Sequence, residues 1–127
     1  MKVRIKGNSV RLRLLQSEVN RIAEGKKVEE STHFNFKQTL TYTLTVSHNI
    51  NEPKAEFKNG RLRIWLPIEM AKNWAISNEV GIESFQEVGN GDKLHILIEK
   101  DFKCLSSDIV EDQSDNFPHP QEDNLIC

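Results

Sequence analysis

The sequence predicts a mostly β protein with two short helices, an α+β chain built as two strand–strand–helix–strand–strand units related by a pseudo-two-fold axis. Three observations lead there. Large apolar residues alternate with polar ones in several short runs, the period of a strand with one buried face. Turn chemistry separates those runs: Lys6-Gly7-Asn8-Ser9, Asn59-Gly60 and Gly89-Asn90-Gly91-Asp92. Third, Arg-Leu-Arg followed by an aliphatic residue occurs at Arg11–Leu14 and again at Arg61–Ile64, with similar surroundings in both places.

The elements follow in chain order. Lys2–Lys6 and Val10–Leu14 alternate around the first glycine turn and form a hairpin. Ser17 is an N-cap for a short helix carrying Val19, Ile22 and Ala23 on one face, and Gly25 closes it. Val28–Phe34 is extended. Leu40–Val46 alternates leucine, tyrosine and valine with threonine and reads as a strand. Asn59-Gly60 then opens the second copy, with positive-φ turn residues before Arg61–Leu66. Pro67 starts a second helix bearing Met70, Ala71 and Trp74. Val80–Val88 is extended, and Leu94, Ile96 and Ile98 alternate in a last strand. The repeats span about residues 2–47 and 54–100 within one domain, 1–104, and residues 105–127 form an extended tail.

One such unit is too small to enclose a core, so two must complete each other. The expected core is Val3, Ile5, Val10, Leu12, Leu14, Val19, Ile22, Leu40, Tyr42, Leu44 and Val46 from the first copy. The second adds Phe57, Leu62, Ile64, Leu66, Met70, Trp74, Val80, Ile82, Leu94, Ile96 and Ile98.

The stretch Lys58-Asn59-Gly60-Arg61-Leu62-Arg63-Ile64-Trp65-Leu66-Pro67-Ile68-Glu69 resembles the strand-to-helix signature of AbrB/MazE-type swapped-hairpin domains. The first copy departs from it, carrying Gln16-Ser17 where the repeat alignment puts Leu66-Pro67. The resemblance implies a swapped-hairpin-like barrel, here fused into one polypeptide, so that a monomer contains an internal pseudo-dimer. In that family basic residues near the first hairpin meet DNA, and the acidic tails of MazE-like members dock a toxin. The whole chain also resembles an uncharacterised family of small bacterial proteins, which brings no function with it.

Charge is unevenly spread. All 17 Lys and Arg precede Cys104, beside 13 of the 19 acids, while residues 105–127 hold six acids and no base. Alternation puts Arg11 and Arg13 on one strand face, and Arg61 and Arg63 repeat the pattern. Arg4, with Lys2 and Lys6, extends that arginine-bearing face. Guanidinium forks suit carboxylate or phosphate. A solvated face cross-paired to Glu29, Glu56, Glu83 or Glu99 is the competing reading. The tail carries apolar anchors among its acids, and Asp112, Asp115 and Phe117 are the candidate docking residues. The expected partner is therefore another protein or the chain's own tail. Nucleic acid ranks lower, because so small a basic excess releases few counterions.

No phosphate loop, catalytic triad or nucleophile elbow appears, so no catalytic residue and no cofactor are expected. Cys104, His119 and Cys127 are the only metal-type grouping, and their wide spacing is unlike a zinc site. With no long apolar run and no leader pattern at Met1–Lys6, the expectation is a cytoplasmic, non-catalytic binding or regulatory protein without a membrane association.

Overall fold

A computed structural model describes residues 1–102 and Phe117. Its elements are β1 (Lys2–Lys6), β2 (Ser9–Leu14), α1 (Gln16–Ala23), β3 (Val28–Asn35), β4 (Gln38–Ser47), β5 (Lys54–Lys58), β6 (Arg61–Pro67), α2 (Ile68–Ile76), β7 (Gly81–Gly89) and β8 (Asp92–Lys100). They match the expected order, strand–strand–helix–strand–strand twice over.

Each hairpin is closed by its own local chemistry. Asn59 and Gly60 both have positive φ, as do Asn90 and Gly91, which is the backbone twist that tight hairpins need. At Gly60 a side chain would also meet the Thr39 carbonyl at 2.7 Å. The β3–β4 turn uses none of this: the Asn35 side-chain oxygen accepts from the Lys37 and Gln38 amides at 2.9 and 3.1 Å.

The hairpins are exchanged between halves. One sheet has the order β1-β2-β8-β7 and the other β3-β4-β6-β5. Neighbours within each hairpin are antiparallel, while the central pairs β2/β8 and β4/β6 run parallel. The pseudo-two-fold shows in the registers: Leu12 lies beside Ile98 in one sheet, and Ile64 lies beside Leu44 in the other. The helices follow the ends of β2 and β6 and pack on each other at one end of the molecule.

This symmetry corrects the repeat alignment. Leu14 corresponds to Leu66, Leu15 to Pro67, Val19 to Ala71 and Ile22 to Trp74, all but the Leu15/Pro67 pair being buried on both sides. Arg11 is therefore the counterpart of Arg63, and the Arg-Leu-Arg motifs are one pleat out of step. A two-residue slip leaves every side chain on the same face, so alternation cannot detect it. The caps shift too. Leu15, not Ser17, is the N-cap of α1, and the Glu18 carboxylate accepts from its amide at 2.8 Å. Pro67 is the N-cap residue of α2, one place before the expected position. Gly25, with φ of 84°, does close α1.

The core lies between the sheets and under the helices, with Leu12, Leu14, Ile22, Leu44, Ile64, Leu66, Trp74, Ile96 and Ile98 almost fully buried. Val28, Ile68 and Ala71 join it unexpectedly. Ile5, Phe57 and Val80 do not: each is more than half exposed. Ile5 and Phe57 occupy equivalent places beside the hairpin turns, where the opposing sheet no longer covers the inner face.

The expected barrel does not close. No backbone ladder joins β1 to β3 or β5 to β7. The β5/β7 seam is bridged by one side chain. Gln86 Oε1 accepts from the Ala55 amide at 2.8 Å, and its Nε2 donates to the Ala55 carbonyl at 2.9 Å. An amide side chain thus fills the place of a strand. The equivalent position across β1/β3 is Thr32, too short for that role. There the Met1 ammonium meets Glu18 at 2.6 Å and Glu30 at 2.9 Å.

Candidate functional site

The outer faces of the two sheets carry the charged side chains, and they point in opposite directions. On the first sheet, register sets out three rows: Lys6, Ser9, His95, Phe85; Arg4, Arg11, Leu97, Glu83; Lys2, Arg13, Glu99, Gly81. Bases stand on β1 and β2, acids on β7 and β8.

Part of this charge is internally matched. The Arg11 guanidinium donates to the Glu99 carboxylate, and both groups are largely covered. Lys2 meets Asp101 at 2.9 Å. His95 Nε2 lies 2.8 Å from Glu83, and its ring stacks on Phe85 at a centroid distance of 4.6 Å. Gly81 makes room for this arrangement: a Cβ there would lie 2.8 Å from the Ile98 carbonyl and 2.9 Å from the Glu99 side chain.

The rest is unmatched. Among the described residues, Arg4, Lys6 and Arg13 have no carboxylate at ion-pair distance. Arg4 sits directly across from Arg11, an arrangement of like charges that disfavours the strand pair. Arg4, Lys6, Ser9, Arg11 and His95 line an open cavity of about 410 Å³. An anion seated there would relieve the Arg4–Arg11 repulsion and receive forked donors.

The second sheet presents different chemistry. Arg61 faces Thr41 and Lys58, and Arg63 faces Thr43 and Glu56. Both arginines are exposed, while Thr41 and Thr43 are each only 9% exposed beneath their long neighbours. Thr43 donates to Glu29 at 2.8 Å, and Ser31 and Thr41 share a hydrogen bond of 2.9 Å. That Thr43 bond, helped by the charges of Lys27 and Arg61, holds the Glu29 carboxyl below its ordinary range.

The five sequence-selected arginines therefore fall into two groups, one on each sheet. Arg4, Arg11 and Arg13 share the first sheet, and Arg61 and Arg63 lie on the second. Sequence reasoning placed them on outer strand faces, which is where they are, but it did not join His95 to them. The His95 signal was its position in β8, whose parallel register beside Ser9 no spacing rule supplies. Asp112, Asp115, Cys104, His119 and Cys127 lie outside the described residues, and Phe117 is 95% exposed. Among the described residues, no three His, Cys, Asp or Glu side chains are placed to hold a metal ion. No helix among them is long and apolar enough to cross a membrane.

A larger cavity of about 730 Å³ lies beside α2, lined by His48, Ile50, Pro67, Met70 and Asn73 among others. Its lining also includes Glu69, Glu79 and Glu83, so it gathers carboxylates where the cavity on the first sheet gathers bases.

Comparison with known proteins gives a family and no activity. Residues 1–121 match a family of unknown function, DUF7009, and the chain belongs to it. No curated protein matches the chain, and no solved structure does.

Proposed function

We propose that this DUF7009 member is a non-catalytic binding protein that takes an acidic peptide segment onto the outer face of its first sheet. The observation that carries this reading is the cavity lined by Arg4, Lys6, Ser9, Arg11 and His95, where Arg4 and Lys6 lack carboxylate partners among the described residues. Its ligand is a carboxylate-rich strand, from a partner protein or from the chain's own six-acid tail beyond Cys104. A short tether gives the tail a high effective concentration, so it acts as a built-in competitor for the partner. The cytoplasm is the proposed setting.

The test is a titration of a fluorescent peptide of residues 105–127 into the full chain at low and moderate salt. A second form has the six tail acids changed to their amides. Binding is expected to be tighter in the amide form, to weaken with salt, and to vanish in Arg4→Ala/Lys6→Ala. Absence of binding by the amide form at low salt would refute the proposal.

The exchange of hairpins between halves, with Lys58, Arg61 and Arg63 on the second sheet, favours a second reading: nucleic-acid binding of the AbrB/MazE kind. It requires retention on duplex DNA that falls steeply with salt and is lost in Arg61→Ala/Arg63→Ala but kept in Arg4→Ala/Lys6→Ala.

A further inference from the structure

Four strands end the two sheets, and three of them are guarded. β1 is five residues long and carries Lys2, Arg4 and Lys6, the charged, short form that discourages pairing. β5 is equally short, and the Gln86 amide occupies both backbone groups of Ala55. β7 begins and ends in glycine, and pairing with a copy of itself about Phe85 would set Glu83 opposite Glu87. β3 is different. It runs eight residues, and every one after Val28 is exposed. Its ladder partner is β4 alone, so from Val28 to His33, where its register shifts, its other edge offers a row of N–H and C=O groups roughly 20 Å long, with the Met1 ammonium touching only the Glu30 side chain.

The side chains of that strand complement themselves. We infer that β3 is a docking edge for the β3 strand of a second copy of this chain, joined antiparallel about Ser31. Antiparallel neighbours point to the same face. With Ser31 opposite Ser31 of the second copy, Glu29 stands opposite His33 and Glu30 opposite Thr32, each pair occurring twice. His33 is prepared for this. Its Nδ1 lies 2.9 Å from the Thr39 hydroxyl, and when that nitrogen accepts from the hydroxyl, Nε2 carries the proton that the Glu29 carboxylate of the copy would take as a hydrogen bond. Phe34, 69% exposed, is covered as the two strands come together.

Charge argues against the acidic tail as occupant, because it would bring its carboxylates beside Glu29 and Glu30. Pro118 and Pro120 would also each withhold a ladder donor. The monomer expected from the sequence is then the unpaired form of a dimer with a continuous sheet of eight strands.

Sedimentation velocity of the full chain over a range of concentrations tests this, with circular dichroism confirming that each variant is folded. A monomer–dimer equilibrium is expected. His33→Glu places like charges at two symmetric pairs and should raise the dissociation constant roughly ten-fold or more, whereas His33→Lys should lower it. A monomer at every concentration overturns the inference. So does a dimer whose dissociation constant is the same in both variants, since that dimer uses another surface.

Discussion

Replacing Gln86 by alanine should open the β5/β7 seam. The wild-type amide makes two hydrogen bonds, both to Ala55, at 2.8 and 2.9 Å. A neutral hydrogen bond contributes about 0.5–1.5 kcal/mol net. Gln86 and Ala55 are half-buried, so water reaches part of the vacated space, which favours the lower half of the range. The expected loss is about 1–2 kcal/mol for the pair. In a domain of this size each kcal/mol moves the melting temperature by about 4–8 °C, giving a fall of roughly 5–15 °C. Urea unfolding measures the free energy, and amide hydrogen exchange locates it. The Ala55 amide should exchange faster in the variant, while amides of β2 and β8 should change only with global stability. Thr32→Ala, the symmetric position, is the control and should cost far less. Equal losses at the two positions, or an unchanged Ala55 amide, would refute the account of the seam.

Other substitutions probe the rest of the frame. Trp74 is fully buried in α2, and Trp74→Ala should cost about 3–5 kcal/mol in urea unfolding. Gly81→Ala should lower stability and disturb the Arg11–Glu99 pair, because the new Cβ meets the Ile98 carbonyl and the Glu99 side chain. A change in the Arg11 Nε resonance would report it. Burial works to lower the Met1 ammonium pKa, but hydrogen bonds and charge from Glu18 and Glu30 outweigh it and hold the value above the ordinary 8.0. A raised pKa favours the folded state below about pH 8 and loses that contribution as pH rises through the folded value. Unfolding free energy should therefore fall between neutral and alkaline pH more in the wild type than in Glu18→Gln/Glu30→Gln.

Some of the candidate site was legible in the residues. Arg11 and Arg13 had to point away from Leu12 and Leu14, and Arg61 and Arg63 away from Leu62 and Ile64, because alternation decides faces. What it could not decide was that Arg4 and Arg11 would share a cavity with His95, since His95 is brought there by the parallel β2/β8 pair from the far end of the domain. The same gap explains Ile5 and Phe57. Both obey the inward pattern, yet both lie beyond the cover of the opposite sheet. Gln86 gave no signal at all, because its role depends on where β5 happens to end up.

The amino-acid order alone determined the element sequence, the hairpin turns at Asn59-Gly60 and Asn90-Gly91, and the inward and outward sides of each strand. Those are local consequences of pleat and backbone dihedral preference. The tertiary structure decided which strands lie side by side, the pleat by which the two halves truly correspond, the open seams, and the division of the arginines between two opposed faces. A strand's pattern tells which side seeks the interior, but any strand with the same pattern can lie next to it. Only the packing of the eight strands and two helices of the described residues around one core selects the neighbour.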